Sequence, residues 1–133
     1  GGGEMLFPGV IGSQCFKLFD LEVAATGLDE REALQSGFHP VSSLIWGNST
    51  ARSMPGNKKL GLKLIADRAT GRLLGAQAVG EVGAVSRINT LASAIWAGFG
   101  LDDVGWLDLA YSPPFGGAWD PIHIAAQALR RQI

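Results

Sequence analysis

The chain has 133 residues, enough for one domain with a buried core. Apolar residues make up 47% of it and charged residues only 17%, whereas about 25% charged is typical of globular domains. Its net charge is −1 and its Lys and Arg residues are scattered, which argues against nucleic acid or an anionic membrane as a partner. Sparse charge indicates instead that another protein covers part of the surface.

The N-terminal residues carry no targeting signal that we recognise. Residues 1–6, which begin with three glycines, are interpreted as a flexible tail or linker, and residues 7–133 as a single domain. No apolar run approaches the roughly 18 residues of a membrane helix. The one cysteine, Cys15, cannot form an internal disulfide, which favours a cytoplasmic location. We expect Cys15 to be a small core or boundary residue.

The first third of the chain predicts strands around a short helix. Residues 16–19 predict a helical turn or a strand entry, and residues 21–25 a strand. Asp29 and Glu32 have the spacing of a capping box, so a helix should begin there and end before Gly37.

A further strand and a hairpin are expected next. Residues 38–46 are rich in β-branched and aromatic side chains, and Pro40 suits the entry of an edge strand. Residues 48–57 predict a loop. Leucines alternate from Leu60 to Leu64, as in a half-buried strand. A turn at residues 67–71 then leads into a second strand at 72–79.

The stretch between Gly83 and Gly100 predicts an apolar helix. Arg87 is its only charged residue, so we expect either a central core helix or a helix that packs against a second subunit, and the low overall charge favours the interface. Its apolar stripe comprises Ala84, Ile88, Leu91, Ala92, Ile95 and Phe99.

A last helix completes the predicted domain. Asp120 and Pro121 suit its N-cap and first turn, and apolar residues follow at helical spacing. Together these elements predict an α+β fold, an antiparallel sheet with helices packed on one side.

The segment from Ala110 to Phe115 is the most informative of the chain. Its two consecutive prolines, Pro113 and Pro114, exclude a helix interior or a central strand and predict an extended run. Such a run presents Tyr111, a neutral hydrogen-bond donor on a rigid ring, to a partner, although packing of Tyr111 against the sheet is the commoner role.

No complete active site is apparent in the sequence. His39 and His123 have no patterned neighbours, so we expect no metal site and assign both to surface or capping roles. Gly98-Phe99-Gly100 begins like a dinucleotide fingerprint, but Asp103 stands where the third glycine is required, so no cofactor-binding residue is assigned. A weaker alternative is an acid–base pair of Tyr111 and Asp108.

Three segments carry a family resemblance: residues 7–28, residues 62–80, and residues 107–115 together with Asp120-Pro121. In this order they resemble the C-terminal dimerisation domain of FAD-dependent pyridine nucleotide-disulfide oxidoreductases, in the branch of the coenzyme A-disulfide reductases and NADH oxidases. One departure is Ser53-Met54-Pro55-Gly56, where coenzyme A-disulfide reductases have Tyr-Tyr-Pro-Gly, which puts that substrate in doubt.

The resemblance implies a homodimer within a larger enzyme. The parent would carry FAD and NAD domains upstream and use FAD and NAD(P)H, whereas this chain alone would bind neither and be inactive. Tyr111 matches the tyrosine that reaches the partner subunit's active site. The alternative is a stand-alone scaffolding module. The interface residues expected from the helix stripe and the proline segment are Ile88, Leu91, Ile95, Trp96, Pro113, Pro114 and Phe115.

Overall fold

The computed structural model describes residues 2–133, which form one five-stranded antiparallel sheet and four helices. The strands are β1 (Gln14–Leu18), β2 (Leu21–Gly27), β3 (Pro40–Asn48), β4 (Lys59–Asp67) and β5 (Leu73–Gly80), and their order in the sheet is β1-β2-β5-β4-β3. The helices are α1 (Glu30–Gln35), α2 (Ala84–Trp96), α3 (Leu101–Gly105) and α4 (Pro121–Arg130). The predicted fold class is confirmed.

One face of the sheet is covered by α2 and α4. α2 packs on β2 and β5, α4 packs on β3 and β4, and α3 packs against α4. Because side chains alternate along a strand, Leu60, Leu62 and Leu64 all point to this covered face and are fully buried. Opposite them on β5 lie the small residues Gly80, Ala78 and Ala76, which leave room for α2 to approach closely.

The opposite face, which we call the open face, has no helix over its centre. The short helix α1 lies at one end of it, where Ala33 packs with Ile65 and Leu74. Ile65 therefore buries the second side of β4, which the leucine alternation alone predicts to be half-exposed. The register places a largely apolar set on the rest of this face: Phe16, Leu18, Leu21, Val23, Leu44, Trp46 and Val79.

Two glycines allow close contacts on the two faces. On the open face the Trp46 ring lies over Gly61, where an added Cβ would come within 3.2 Å of the ring. On the covered face an added Cβ at Gly47 would lie 2.8 Å from the Pro121 ring. Gly47 therefore lets the first turn of α4 rest directly on β3.

β1 is the strand alternative expected for residues 16–19, and it begins earlier, at Gln14. Residues 14–18 form a strand that turns at Phe19 and Asp20 to pair with β2, with Leu18 opposite Leu21. Phe19 takes a left-handed φ of 53° in this turn. The expectation that Cys15 is a core or boundary residue is wrong: Cys15 is exposed, because β1 is an edge strand that no helix covers.

The capping predictions are confirmed. Asp29 and Glu32 form the capping box of α1, Gly37 takes a left-handed φ of 88°, and Pro40 is the first residue of an edge strand. Residues 2–13 contain no helix or strand, and the domain boundary at residue 7 stays a prediction. Within residues 2–133, no helix is both long enough and apolar enough to span a bilayer.

Candidate functional site: an aromatic loop between α3 and α4

Four aromatic residues lie on the segment that joins α3 to α4, residues 106–119, which we call the aromatic loop. They are Trp106, Tyr111, Phe115 and Trp119, and all four side chains are exposed. Tyr111 is 56% exposed, so the expectation that it packs against the sheet does not describe it. Its hydroxyl makes no hydrogen bond to any other residue among 2–133, and it is free to bind an external group.

The proline segment is a turn rather than a fully extended run. Residues 107–112 have no helix or strand, but Phe115 N–H and Gly116 N–H both donate to the Ser112 carbonyl. Pro113 and Pro114 therefore form the corner of a turn, and the fixed φ of Pro113 suits the first of its two central positions. This turn directs Phe115 and Tyr111 outward.

The aromatic loop is exposed, yet its backbone is anchored at three points. Near its start, His123 Nε2 lies 2.8 Å from the Leu107 carbonyl. In the middle, Ala51 N–H donates to the Pro113 carbonyl at 2.9 Å. Directly after its end, Asp120 N–H donates to His123 Nδ1, and the Asp120 side chain accepts from Ile122 N–H and caps α4. A loop held in this way presents its side chains in a defined geometry.

His123 joins the start and the end of the loop. Its Nδ1 accepts a hydrogen bond from Asp120 N–H at 3.0 Å. Because Nδ1 is the acceptor, the ring proton is on Nε2, which donates to Leu107. The Trp119 ring packs edge-on against His123, with the centroids 5.7 Å apart, and against Trp106 at 6.1 Å. The capping role expected for His123 is confirmed.

Arg87 is the residue that sequence reasoning missed. It is only 6% exposed and binds the Asp120 carboxylate through two hydrogen bonds. One signal was available: Arg87 directly precedes Ile88 and is the one charge of an otherwise uncharged helix. A charge on the border of an apolar stripe is buried only when it is paired.

The structure corrects two of the expected interface residues. Ile88 and Leu91 lie in the chain's own core and have no surface for a partner. Ile95 is half-buried, whereas Trp96, Pro113, Pro114 and Phe115 are exposed. The exposed face of α2 carries uncharged residues alone: Ser86, Asn89, Ser93, Trp96 and, just beyond the helix end, Ala97.

The N-terminus of α2 does not fit a dinucleotide phosphate. It follows strand β5 and a glycine, Gly83, as dinucleotide-binding helices do. The Glu22 carboxylate, however, accepts a hydrogen bond from Val85 N–H at 3.0 Å. A carboxylate at this end of the helix competes with an anionic ligand for the same N–H groups.

Residues 2–133 show neither a metal-site cluster nor a hydrogen bond between Tyr111 and Asp108. They contain no group of three or more His, Cys, Asp or Glu side chains that could hold a metal ion. Asp108 is exposed and makes no hydrogen bond to Tyr111, so nothing in the geometry supports the acid–base pair.

Comparison with known proteins assigns the family. A family model described as "Pyridine nucleotide-disulphide oxidoreductase, dimerisation domain" matches residues 13–121. The chain is 43% identical over 130 residues to the NAD(P)H sulfur oxidoreductase (CoA-dependent) of Pyrococcus furiosus, an alignment that covers 97% of this chain and 29% of the relative. It is 30% identical to the coenzyme A disulfide reductase of Staphylococcus aureus, over 93% of this chain and 28% of that protein.

A solved structure is also similar. The NAD-dependent persulfide reductase from A. fulgidus aligns with a TM-score of 0.95 and 36% identity, over 98% of this chain and 24% of that one. The chain thus spans less than a third of the length of the relatives it matches. From residue 13 to residue 121, the chain belongs to the dimerisation-domain family of the pyridine nucleotide-disulfide oxidoreductases.

Proposed function

We propose that this chain is the dimerisation domain of a flavin- and NAD(P)H-dependent oxidoreductase, and that Tyr111 faces the active site of the partner subunit. The observation that carries this proposal is the exposed Tyr111, with an unbonded hydroxyl, on a loop anchored at three backbone positions.

The exposed face of α2 supports self-association. Its one charged side chain, Arg87, turns inward, so Trp96 and small uncharged residues remain outside. Cores of protein interfaces are depleted of charge and enriched in aromatic residues. We place the twofold contact on this face together with Pro113, Pro114 and Phe115, with a total buried area above about 1,000 Å².

The names of the relatives point to the electron acceptor. Their names describe a coenzyme A disulfide reductase, a persulfide reductase and a sulfur oxidoreductase, and we propose an acceptor with a sulfur–sulfur bond. The flavin, when bound by the upstream part of the parent enzyme, would accept the hydride of NAD(P)H. The Tyr111 hydroxyl would donate a hydrogen bond to the acceptor or to a thiolate of the partner subunit.

The test is Tyr111→Phe in the complete natural polypeptide. We expect turnover of a disulfide or persulfide to fall, with dimer mass and flavin content unchanged, because only one hydroxyl is removed. Ser112→Ala is the matched control, since it removes the neighbouring hydroxyl, and it should keep normal turnover. Unchanged kinetics in Tyr111→Phe would contradict the role of Tyr111.

A further inference from the structure

We propose that Arg87 is a positioning residue that holds the aromatic loop in place and thereby sets the location of Tyr111. The inference rests on the proposed function only for what Tyr111 does. The clamp, by which we mean Arg87 with the groups it binds on Ser49, Gly83 and Asp120, follows from contacts within this chain.

The Arg87 guanidinium binds three separate segments. Its Nε and Nη2 donate to the two Asp120 carboxylate oxygens at 3.1 and 2.9 Å. Nη2 also donates to the Ser49 carbonyl at 3.2 Å, and Nη1 to the Gly83 carbonyl at 3.0 Å. One buried side chain thus joins the β3–β4 loop, the start of α2 and the N-cap of α4.

Two of the groups that Arg87 binds, Ser49 and Asp120, are connected to the aromatic loop. Asp120 follows the loop directly, and Ser49 lies two residues before Ala51, whose N–H binds the Pro113 carbonyl. The part of the loop that contains Tyr111 and Phe115 is therefore attached to two segments, and Arg87 binds both of these segments. Loss of Arg87 would free these segments to move relative to each other.

The site is shaped for a guanidinium. Two parallel bonds to one carboxylate, with further bonds to two carbonyls, need a planar fork of donors, which a lysine ammonium lacks. Gly83 has a left-handed φ of 84°, and a Cβ there would lie 2.3 Å from Arg87 Nη1. A side chain at position 83 would therefore collide with the guanidinium.

A variant without Arg87 loses the clamp contacts but keeps the N-cap of α4. Asp120 also accepts from Ile122 N–H and can continue to cap α4 in an Arg87 variant. A matched control is present on α4, where Arg130 pairs with Asp102 at 3.1 Å, but with both side chains about half exposed or more. Arg130→Met breaks an arginine–aspartate pair that holds no loop.

The experiment compares Arg87→Met, Arg87→Lys and Arg130→Met in the complete natural polypeptide, with amide hydrogen exchange as the first readout. In Arg87→Met we expect exchange at Ala51 and Phe115 to rise at least tenfold, while β4 amides such as Leu62 stay protected. Arg87→Lys should give a smaller rise and Arg130→Met none. Equal loss of protection in the loop and in β4, or no change in either, would overturn the proposal.

Kinetics provide the second readout. We expect kcat to fall in Arg87→Met while KM for NAD(P)H is unchanged, with partial recovery in Arg87→Lys, because the loop is displaced and the nucleotide site is not. A freed loop with normal kcat would overturn the link to Tyr111.

Exchange does not depend on activity, so it tests the clamp even if Tyr111→Phe shows the proposed function to be wrong. If Arg87→Met does not fold, Arg87→Lys and Asp120→Asn carry the same comparison.

Discussion

The two faces of the sheet are built from the same five strands but have different surroundings. On the covered face the β4 leucines lie under α2 and α4 and are fully buried. On the open face Leu44 and Trp46 lie on the neighbouring strand and are 56% and 63% exposed. Alternation of side chains along each strand produces both faces, but only one receives helices.

This difference separates the surface that stabilises the fold from the surfaces available to other molecules. Burial of apolar area stabilises a domain in proportion to the area removed from water, so the covered face should account for most of the stability of the single chain. The open face and the outer face of α2 expose apolar residues that the single chain does not cover. Contiguous exposed apolar surface of this kind marks sites of interaction.

The largest expected effect tests the stability of the covered face. Leu64→Ala should lower the free energy of unfolding by about 2–5 kcal/mol, because a fully buried leucine would leave a cavity. Leu44→Ala makes the same chemical change on the adjacent strand of the open face and should cost only about 0.5 kcal/mol. Denaturant unfolding at one protein concentration measures both, and similar losses would show that the open face also has a packed partner.

A second experiment distinguishes the two exposed apolar surfaces. Trp96→Glu places a charge on the outer face of α2 and should weaken self-association at least tenfold, or about 1.4 kcal/mol. Trp46→Glu places the same charge on the open face at a similarly exposed tryptophan and should leave association unchanged. Light scattering over a dilution series measures this, with circular dichroism to show that both variants are folded.

The reverse pattern in that experiment would relocate the dimer contact. If Trp46→Glu produced monomers and Trp96→Glu did not, the open face would be the interface, and our placement of the contact on α2 would be wrong.

The smallest expected effect concerns the Glu30–Lys63 ion pair of the open face. Glu30 pairs with Lys63 and accepts a hydrogen bond from the Ser42 hydroxyl. The bond from Lys63, with a smaller contribution from Ser42, lowers the pKa of Glu30 although partial burial opposes this. Because the folded pKa lies below the unfolded one, this stabilisation is present above the unfolded pKa and is lost as pH falls through the folded pKa.

Glu30→Gln should therefore reduce stability at neutral pH and flatten its decline in acid. We expect a difference of at most about 1 kcal/mol, since both side chains are partly exposed. Thermal unfolding as a function of pH measures it. Glu4→Gln is the control, because Glu4 is exposed and makes no ion pair with residues 2–133. Identical pH profiles for the two variants would contradict this account of Glu30.

Elements with strong local signals were predictable from the sequence. The β4–β5 hairpin, the capping box at Asp29 and the N-cap at Asp120 each depend on residues within a few positions of one another. The β1–β2 hairpin was missed because its turn is Phe19-Asp20 and lacks the glycine or asparagine that usually indicates such a turn. The exposure of Cys15 was missed because the order of strands decides which of them is an edge.

The candidate site was predictable in part. The sequence indicated that the two prolines lie outside any helix interior or central strand, since proline excludes both regardless of context, but it left the exposure of Tyr111 open. It did not indicate the turn at Pro113, and it left open whether Ile88 and Leu91 lie in the chain's own core or at an interface. An apolar helix stripe has the same pattern whether it packs on its own sheet or on a partner.

The sequence by itself determined the alternation that separates the two faces, the starts of α1 and α4, and the family, because these depend on residue order and local backbone chemistry. Only the tertiary structure decided which face is covered and how the aromatic loop is held. Ser49 and Asp120 lie 38 and 33 residues from Arg87 in the chain, and they reach it because α2 and α4 pack on the same face of one sheet. A buried charge acquires its partners from the packing of distant segments, which no local pattern specifies.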